Sequence, residues 1–149
     1  MVEKVFNELI LEAKTAILED EVPVCAAIVK NNKIICITHN TKESNNDVTC
    51  HAEINAIRYC EKKYNNWRLN DCDIYVLLEP CAMCASAIKQ ARIRNLYYFL
   101  ENSDPNVKFI NNMILSNNDN NPSINYIFVD KYIYQVKDII NEYFMLKRW

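Results

Sequence analysis

Asp73-Ile74-Tyr75-Val76-Leu77-Leu78-Glu79-Pro80-Cys81-Ala82-Met83-Cys84 carries the chain from a strand into a helix across a single break. The run Asp73 to Leu78 is short and mostly apolar, the pattern of a strand buried on both faces. Pro80 ends it, and a proline there suits the first turn of the helix that the Ala-rich segment Cys81 to Ala91 predicts. Upstream, His51-Ala52-Glu53 opens a helix over His51 to Tyr64, with apolar residues at Ala52, Ile54, Ala56, Ile57 and Cys60.

The rest of the chain is arranged around these two segments. Val5, Leu9, Ala13, Ala16 and Ile17 recur at helical spacing and predict an amphipathic helix over Val2 to Leu18. Val24 to Lys30 and Lys33 to Thr38 are β-prone runs, and Asn31-Asn32 between them predicts a hairpin with a two-residue turn. Thr41 to Thr49 is polar and reads as a loop. Ile93 to Leu100 reads as a strand, Val107 to Leu115 as a short helix, Asn125 to Val129 as a last strand and Lys131 to Arg148 as a C-terminal helix. With no repeat or linker to divide it, the chain reads as one domain over residues 1–149. The expected fold class is α/β, a three-layer α/β/α arrangement with a mixed central sheet of about five strands and helices on both faces.

Composition narrows the possibilities. Half the residues are apolar, enough for a full core, and no apolar run approaches the length of a membrane span. Glu3, Glu8 and Glu12 interrupt the first helix, which excludes a secretory signal and places the chain in the cytoplasm as an expectation. Lys and Arg number 17 against 19 Asp and Glu, so global charge does not advertise a nucleic-acid partner. The seven cysteines are an odd number, which suits metal or chemistry better than a secreted disulfide scaffold. The chain contains no glycine, although average usage would give roughly ten. Turns must then use other residues. Asn tolerates the left-handed region, and Asn31-Asn32, Asn45-Asn46, Asn65-Asn66, Asn111-Asn112, Asn117-Asn118 and Asn120-Asn121 fall where turns are expected.

His51-Ala52-Glu53 and Pro80-Cys81-Ala82-Met83-Cys84 carry the chemistry. Zinc takes nitrogen and sulfur ligands tetrahedrally, and a catalytic site keeps its fourth position for water. Cys81 and Cys84, three apart, share one face of a helical turn, and His51 at the head of another helix completes the triangle. The positive ends of both helices favour thiolate over thiol. Glu53, two residues past His51, is suited to move protons rather than bind metal. A lone Cys-x-x-Cys would equally serve a closed structural zinc site or a redox pair; Cys50 is the obvious fourth ligand for the closed site. His-x-Glu followed by Pro-Cys-x-x-Cys is more specific: it is the recorded signature of zinc nucleobase deaminases.

Further segments extend the pattern: Glu21-Val22-Pro23-Val24, Thr38-His39-Asn40-Thr41, Trp67-Arg68-Leu69, Ser86-Ala87-Ile88, Ala91-Arg92-Ile93 and Ile140-Asn141-Glu142-Tyr143-Phe144. With the two metal-type motifs, they make the chain resemble the bacterial tRNA adenosine deaminase family from its first helix to its last. The resemblance implies a cytidine-deaminase-like fold and a homodimer with one zinc ion per subunit. It implies conversion of adenosine to inosine at the wobble position of a tRNA anticodon stem-loop. Asn40 resembles the family Asn that bonds the flipped base, although an Asn there is commonly a turn residue. Ala52, Glu79 and Pro80 are expected beside the base, with the backbone N–H groups of Ala52 and Cys81 toward the reacting oxygen. Lys89, Arg92, Arg94, Phe144, Lys147 and Arg148 are expected tRNA contacts, the usual alternative for such charges being a solvated surface.

The departures from the family are mostly lost glycines. Cys25, Cys36, Phe99 and Val129-Asp130 stand where glycine is usual, and Leu77 stands where Thr is usual. Their coincidence with family glycines points to deliberate removal. Phe99 is expected to narrow the nucleotide path. Two rival readings share the zinc residues: a deaminase of a free base or nucleotide (guanine, cytosine, deoxycytidylate), and a zinc-binding partner or engineered scaffold impaired in turnover.

Overall fold

The computed structural model describes residues 1–116 and 123–146. Helix α1 (Val2–Leu18) leads into the hairpin of β1 (Cys25–Lys30) and β2 (Lys33–His39). Asn31 and Asn32 take φ of 52° and 58°, the left-handed pair that a two-residue hairpin turn requires. A short α2 (Lys42–Asn45) precedes α3 (Ala52–Tyr64), β3 (Cys72–Val76), α4 (Ala82–Gln90) and β4 (Asn95–Tyr98). Then come α5 (Pro105–Leu115), β5 (Asn125–Phe128), a 3-10 turn at Asp130–Tyr132 and α6 (Ile133–Leu146).

The five strands form one sheet in the order β2-β1-β3-β4-β5. β1 runs antiparallel to β2 and β3, whereas β3, β4 and β5 are parallel, so the sheet is mixed as expected. Side chains alternate between its faces. Ala26, Ile28, Ile74 and Val76 join Ala56, Ile57, Ala85 and Ile88 of α3 and α4 in one core. Cys25, Ala27, Val29, Tyr75 and Leu77 face the other way, onto Val5, Phe6 and Leu9 of α1 and Val136 and Ile139 of α6. These are the three layers of the cytidine-deaminase-like fold.

Left-handed backbone falls mostly on asparagine. Asn46 and Asn65 end α2 and α3 with φ of 50° and 49°. Asn111-Asn112 is not a turn but lies inside α5, where Asn111 is fully buried. The doublets at 117–118 and 120–121 lie outside the described residues. The expected loop after Thr41 contains α2. Its first N–H groups are satisfied by Glu21, which accepts from Glu43 N (3.0 Å) and Ser44 N (2.7 Å). A cap so distant in sequence leaves no local signal. Pro80 precedes the first residue of α4 instead of occupying its first turn. The proline in that role is Pro105 of α5, behind the cap Asp104, whose carboxylate accepts from Asn106 N at 2.9 Å.

Candidate active site

α3 and α4 meet at the end of the sheet where β3 runs out. Their N-caps are His51 and Cys81, both in extended backbone, and neither side chain caps its own helix. The side chains turn toward each other. His51 Nδ1 lies 3.7 Å from Cys81 Sγ and 3.4 Å from Cys84 Sγ, one turn into α4. All three donor atoms lie within 4.8 Å of one another, the only such His/Cys/Asp/Glu group found among the described residues.

The donor set fits a metal. Tetrahedral bonds of about 2.3 Å to sulfur and about 2.0 Å to nitrogen would hold N and S about 3.5 Å apart, between the two observed separations. A fourth position is left over, because Cys50 is not part of the group. Its sulfur is approached by Asn45 Nδ2 (3.6 Å) and an Arg58 guanidinium nitrogen (3.7 Å). The two ligand-type thiols lie close enough to shift each other's acidity in opposite directions. A hydrogen bond from Cys84 is the largest influence holding Cys81 down to about 5, and the same bond together with burial pushes Cys84 far up. A dication would displace the proton that Cys84 retains.

Glu53 sits one residue into α3, 3% exposed. Its Oε1 is buried and accepts no hydrogen bond from the described residues. Burial raises its carboxyl above the ordinary carboxylate range. A buried carboxylate with one unpartnered oxygen beside a His/Cys/Cys triangle is equipped for acid–base work.

The triangle borders a cavity of about 260 Å³, at or below the small end of ligand-pocket sizes. Val22, Val24 and Leu78 form apolar wall, and Asn40, Ala52, Glu53, Glu79, Pro80 and Cys81 also line it. Val22 and Val24 flank Pro23 in a tight turn closed by Val24 N donating to Val22 O at 2.8 Å. Their motif was visible in the sequence, but their role as wall was not. Asn40 serves both of its readings: it lines the cavity, and its Oδ1 accepts from Lys42 N at 3.0 Å, as turn residues do. The preceding residue, His39, is clamped by Glu12 at Nδ1 and Glu19 at Nε2, both at 2.6 Å, which ties β2 to α1.

Several sequence expectations need correction. Glu79 lines the cavity, but its carboxylate is nearly fully buried and committed to Asn102 N, the Tyr126 hydroxyl and Lys108. Lys89 is 4% exposed and donates to the Ser116 carbonyl under α5, so it is not presented to a phosphate. Arg94 is exposed but paired with Asp73 at 2.9 Å. Asp73, the second residue of β3, pairs with Asn95 at the start of β4, so Arg94 lies at the opposite end of the sheet from the cavity, roughly 15 Å away along the strand. Arg92, at φ 66°, stands at that same end, its guanidinium 5.5 Å from the Trp67 ring. Phe144 is half-exposed and edge-on to Tyr143. Tyr143 borders a recess shared with Glu43 and Ser44, next to the cavity rim. Lys147 and Arg148 lie outside the described residues. Phe99 does not narrow the path: it is fully buried in the opposite core against Phe6 and Tyr132.

The fold and this constellation define a deaminase of the nucleobase type, and a model of the MafB19-like deaminases matches residues 2–148. The chain belongs to that family and, within it, to the bacterial tRNA adenosine deaminases. It is 42% identical to the tRNA-specific adenosine deaminase of Rickettsia typhi over 112 residues, 70% of this chain and 76% of that protein. A solved structure from work on A-to-I editing by tRNA deaminases at the wobble position superposes with a TM-score of 0.74 at 36% identity, covering 87% of this chain and all of that one. A guanine deaminase from Bacillus subtilis superposes with a TM-score of 0.65 at 27% identity, covering 99% of this chain and 94% of that one. No helix among the described residues is long and apolar enough to cross a membrane.

Proposed function

We propose that this chain hydrolyses adenosine to inosine at the wobble position of a tRNA anticodon, with His51, Cys81 and Cys84 holding one zinc ion per subunit. The observation that carries the chemistry is the buried, unpartnered Oε1 of Glu53 beside those three residues at the cavity. The relatives named for tRNA editing carry the substrate. Zinc, when bound, supplies the Lewis acidity that makes a water nucleophilic at neutral pH. Glu53 takes the proton of the attacking water and passes it to the ring nitrogen. It then moves the remaining proton, that of the newly attached hydroxyl, to the departing amine. Water is consumed and ammonia leaves, so the ring keeps one oxygen in place of nitrogen. Ala52 and Cys81 present backbone N–H groups at helix starts to the oxygen that develops charge. Asn40 orients the base, and Val22, Val24 and Leu78 exclude water from its faces. Phe144, with Lys147 and Arg148, meets the RNA loop, and the active form is a homodimer.

The test is inosine formation on an anticodon stem-loop bearing a wobble adenosine, with free guanine as competitor and zinc measured on the same sample. Product from the stem-loop, lost in Glu53→Ala with zinc retained, is the expected result. Turnover of guanine in preference to the stem-loop would overturn the substrate assignment.

A further inference from the structure

Cys81 opens α4 with no side-chain cap of its own, and the chain between Val76 and Ala82 belongs to no strand or helix. The Cys81 carbonyl accepts from Ala85 N at 2.9 Å, which joins it to α4, and bonds from outside the segment hold the approach to it. Two backbone bonds tie its early part: Leu77 N to Cys25 O at 3.1 Å, and Glu79 N to Leu100 O at 2.8 Å. Pro80 has no N–H, so its carbonyl is the last backbone handle before Cys81. That carbonyl accepts from Asn111 Nδ2 at 2.8 Å.

Asn111 is 0% exposed on α5. Its amide nitrogen also reaches the Tyr126 hydroxyl oxygen on β5 at 3.2 Å. Tyr126 in turn contacts the Glu79 carboxylate through its hydroxyl, and the other Glu79 oxygen accepts from Asn102 N at 3.0 Å. The direction of this chain of bonds is forced. A carbonyl only accepts, so Asn111 must offer its NH2 group to Pro80. An ionised carboxylate only accepts, so Tyr126 must donate to Glu79 and receive from Asn111. Lys108 Nζ also lies 3.5 Å from the Glu79 carboxylate. The two ends of the relay land on adjacent residues, Glu79 and Pro80. Amide, phenol and carboxylate therefore close a ring around the peptide that leads into Cys81.

We propose that Asn111 and Tyr126 are positioning residues for the metal centre, acting through the Glu79–Pro80 peptide on the placement of Cys81. The proposal rests on the metal reading given above. A buried, directional network holds a loop more firmly than its separate bonds would. Metal bonds tolerate displacements of only about 0.2 Å, so a loosened Pro80 carbonyl is felt at the ligand next to it. The side chains belong to α5 and β5, elements that supply no residue of the metal-type triangle, and their hydrogen bonds go to Pro80 and Glu79.

The experiment loads the full chain with cobalt(II) in place of zinc and compares it with Tyr126→Phe and Asn111→Leu. Tyr126→Phe keeps the ring beside Tyr98, whose centroid is 4.7 Å away, and removes only the hydroxyl. Ile139→Val, in the core on the other face of the sheet, controls for general loosening. Affinity is read by competition with a chelator, and the ligand field by the visible cobalt spectrum. The expected result is a fall of about 10-fold or more in affinity for Tyr126→Phe and Asn111→Leu, with an altered cobalt spectrum, and neither change in Ile139→Val. Unchanged affinity and spectrum in folded Tyr126→Phe would overturn the proposal while leaving the metal centre intact. An equal loss in Ile139→Val would also overturn it, by assigning the effect to stability. Failure of the unsubstituted chain to take up cobalt would overturn it together with the metal reading.

Discussion

Replacing Phe99 by alanine tests whether this residue belongs to the core or to the nucleotide path. The ring is 0% exposed, with Phe6 at 5.1 Å and Tyr132 at 6.0 Å between centroids. Two routes give the cost. Measured Phe→Ala changes in cores run at about 3–5 kcal/mol. Burial of roughly 150–200 Å² at about 25 cal/mol per Å² gives about 4–5 kcal/mol. For a domain of this size each kcal/mol moves the midpoint by about 2–4 °C, so a fall of about 12 °C is expected in thermal unfolding followed by circular dichroism. Phe99→Gly should lose about 1 kcal/mol more, because the position has no left-handed φ that glycine would relieve. Turnover per folded molecule should not change. A loss below about 1 kcal/mol, joined to faster turnover of the stem-loop, would refute the core assignment and return the ring to the substrate path.

Asn65 closes α3 at φ 49°; Asn65→Ala should cost about 1 kcal/mol in urea unfolding and Asn65→Gly should not. His39 tests the clamp between β2 and α1. Burial alone would lower its pKa, but the hydrogen bonds to Glu12 and Glu19 outweigh it, and the folded value lies above the ordinary 6.5, with Glu21 adding to the negative surroundings. Its contribution is complete below about pH 6.5 and fades as pH rises through the raised folded value. The stability advantage over His39→Gln should therefore shrink as pH rises above about 6.5, and an advantage that grew with pH would contradict the clamp. Chelation should abolish turnover and lower the unfolding midpoint, with both restored by zinc.

The architecture was legible where period and punctuation agreed. β1 and β3 read as strands because their apolar runs are bounded by turn residues, and α3 and α4 because motif and helical spacing coincide. The metal-type triangle was legible because its three residues sit in two short motifs, and Glu53 because it shares one of them. What was not legible depends on long-range partners. α2 is capped from Glu21. The burial of Lys89 is set by the end of α5. Arg94 is removed from the cavity by the direction of β4, which no local pattern records. Asn111 looked like a turn because a buried Asn inside a helix has meaning only when its partner, the Pro80 carbonyl, is in view.

The asparagine turns have a consequence for the chain before it folds. Cys25, Cys36, Phe99 and Val129, where the resemblance leads one to expect glycine, all have negative φ here. At such compatible positions a side chain narrows the range of shapes open to the denatured polypeptide, worth about 0.4–1 kcal/mol each for the simplest replacement. The left-handed positions fall to Asn31, Asn32, Asn46, Asn65, Asp20 and Arg92, where each Cβ opposes the folded form. A glycine-free sequence thus begins folding from a stiffer ensemble and ends in a few tighter corners, so its stability is set by disorder it never had as much as by contacts it makes.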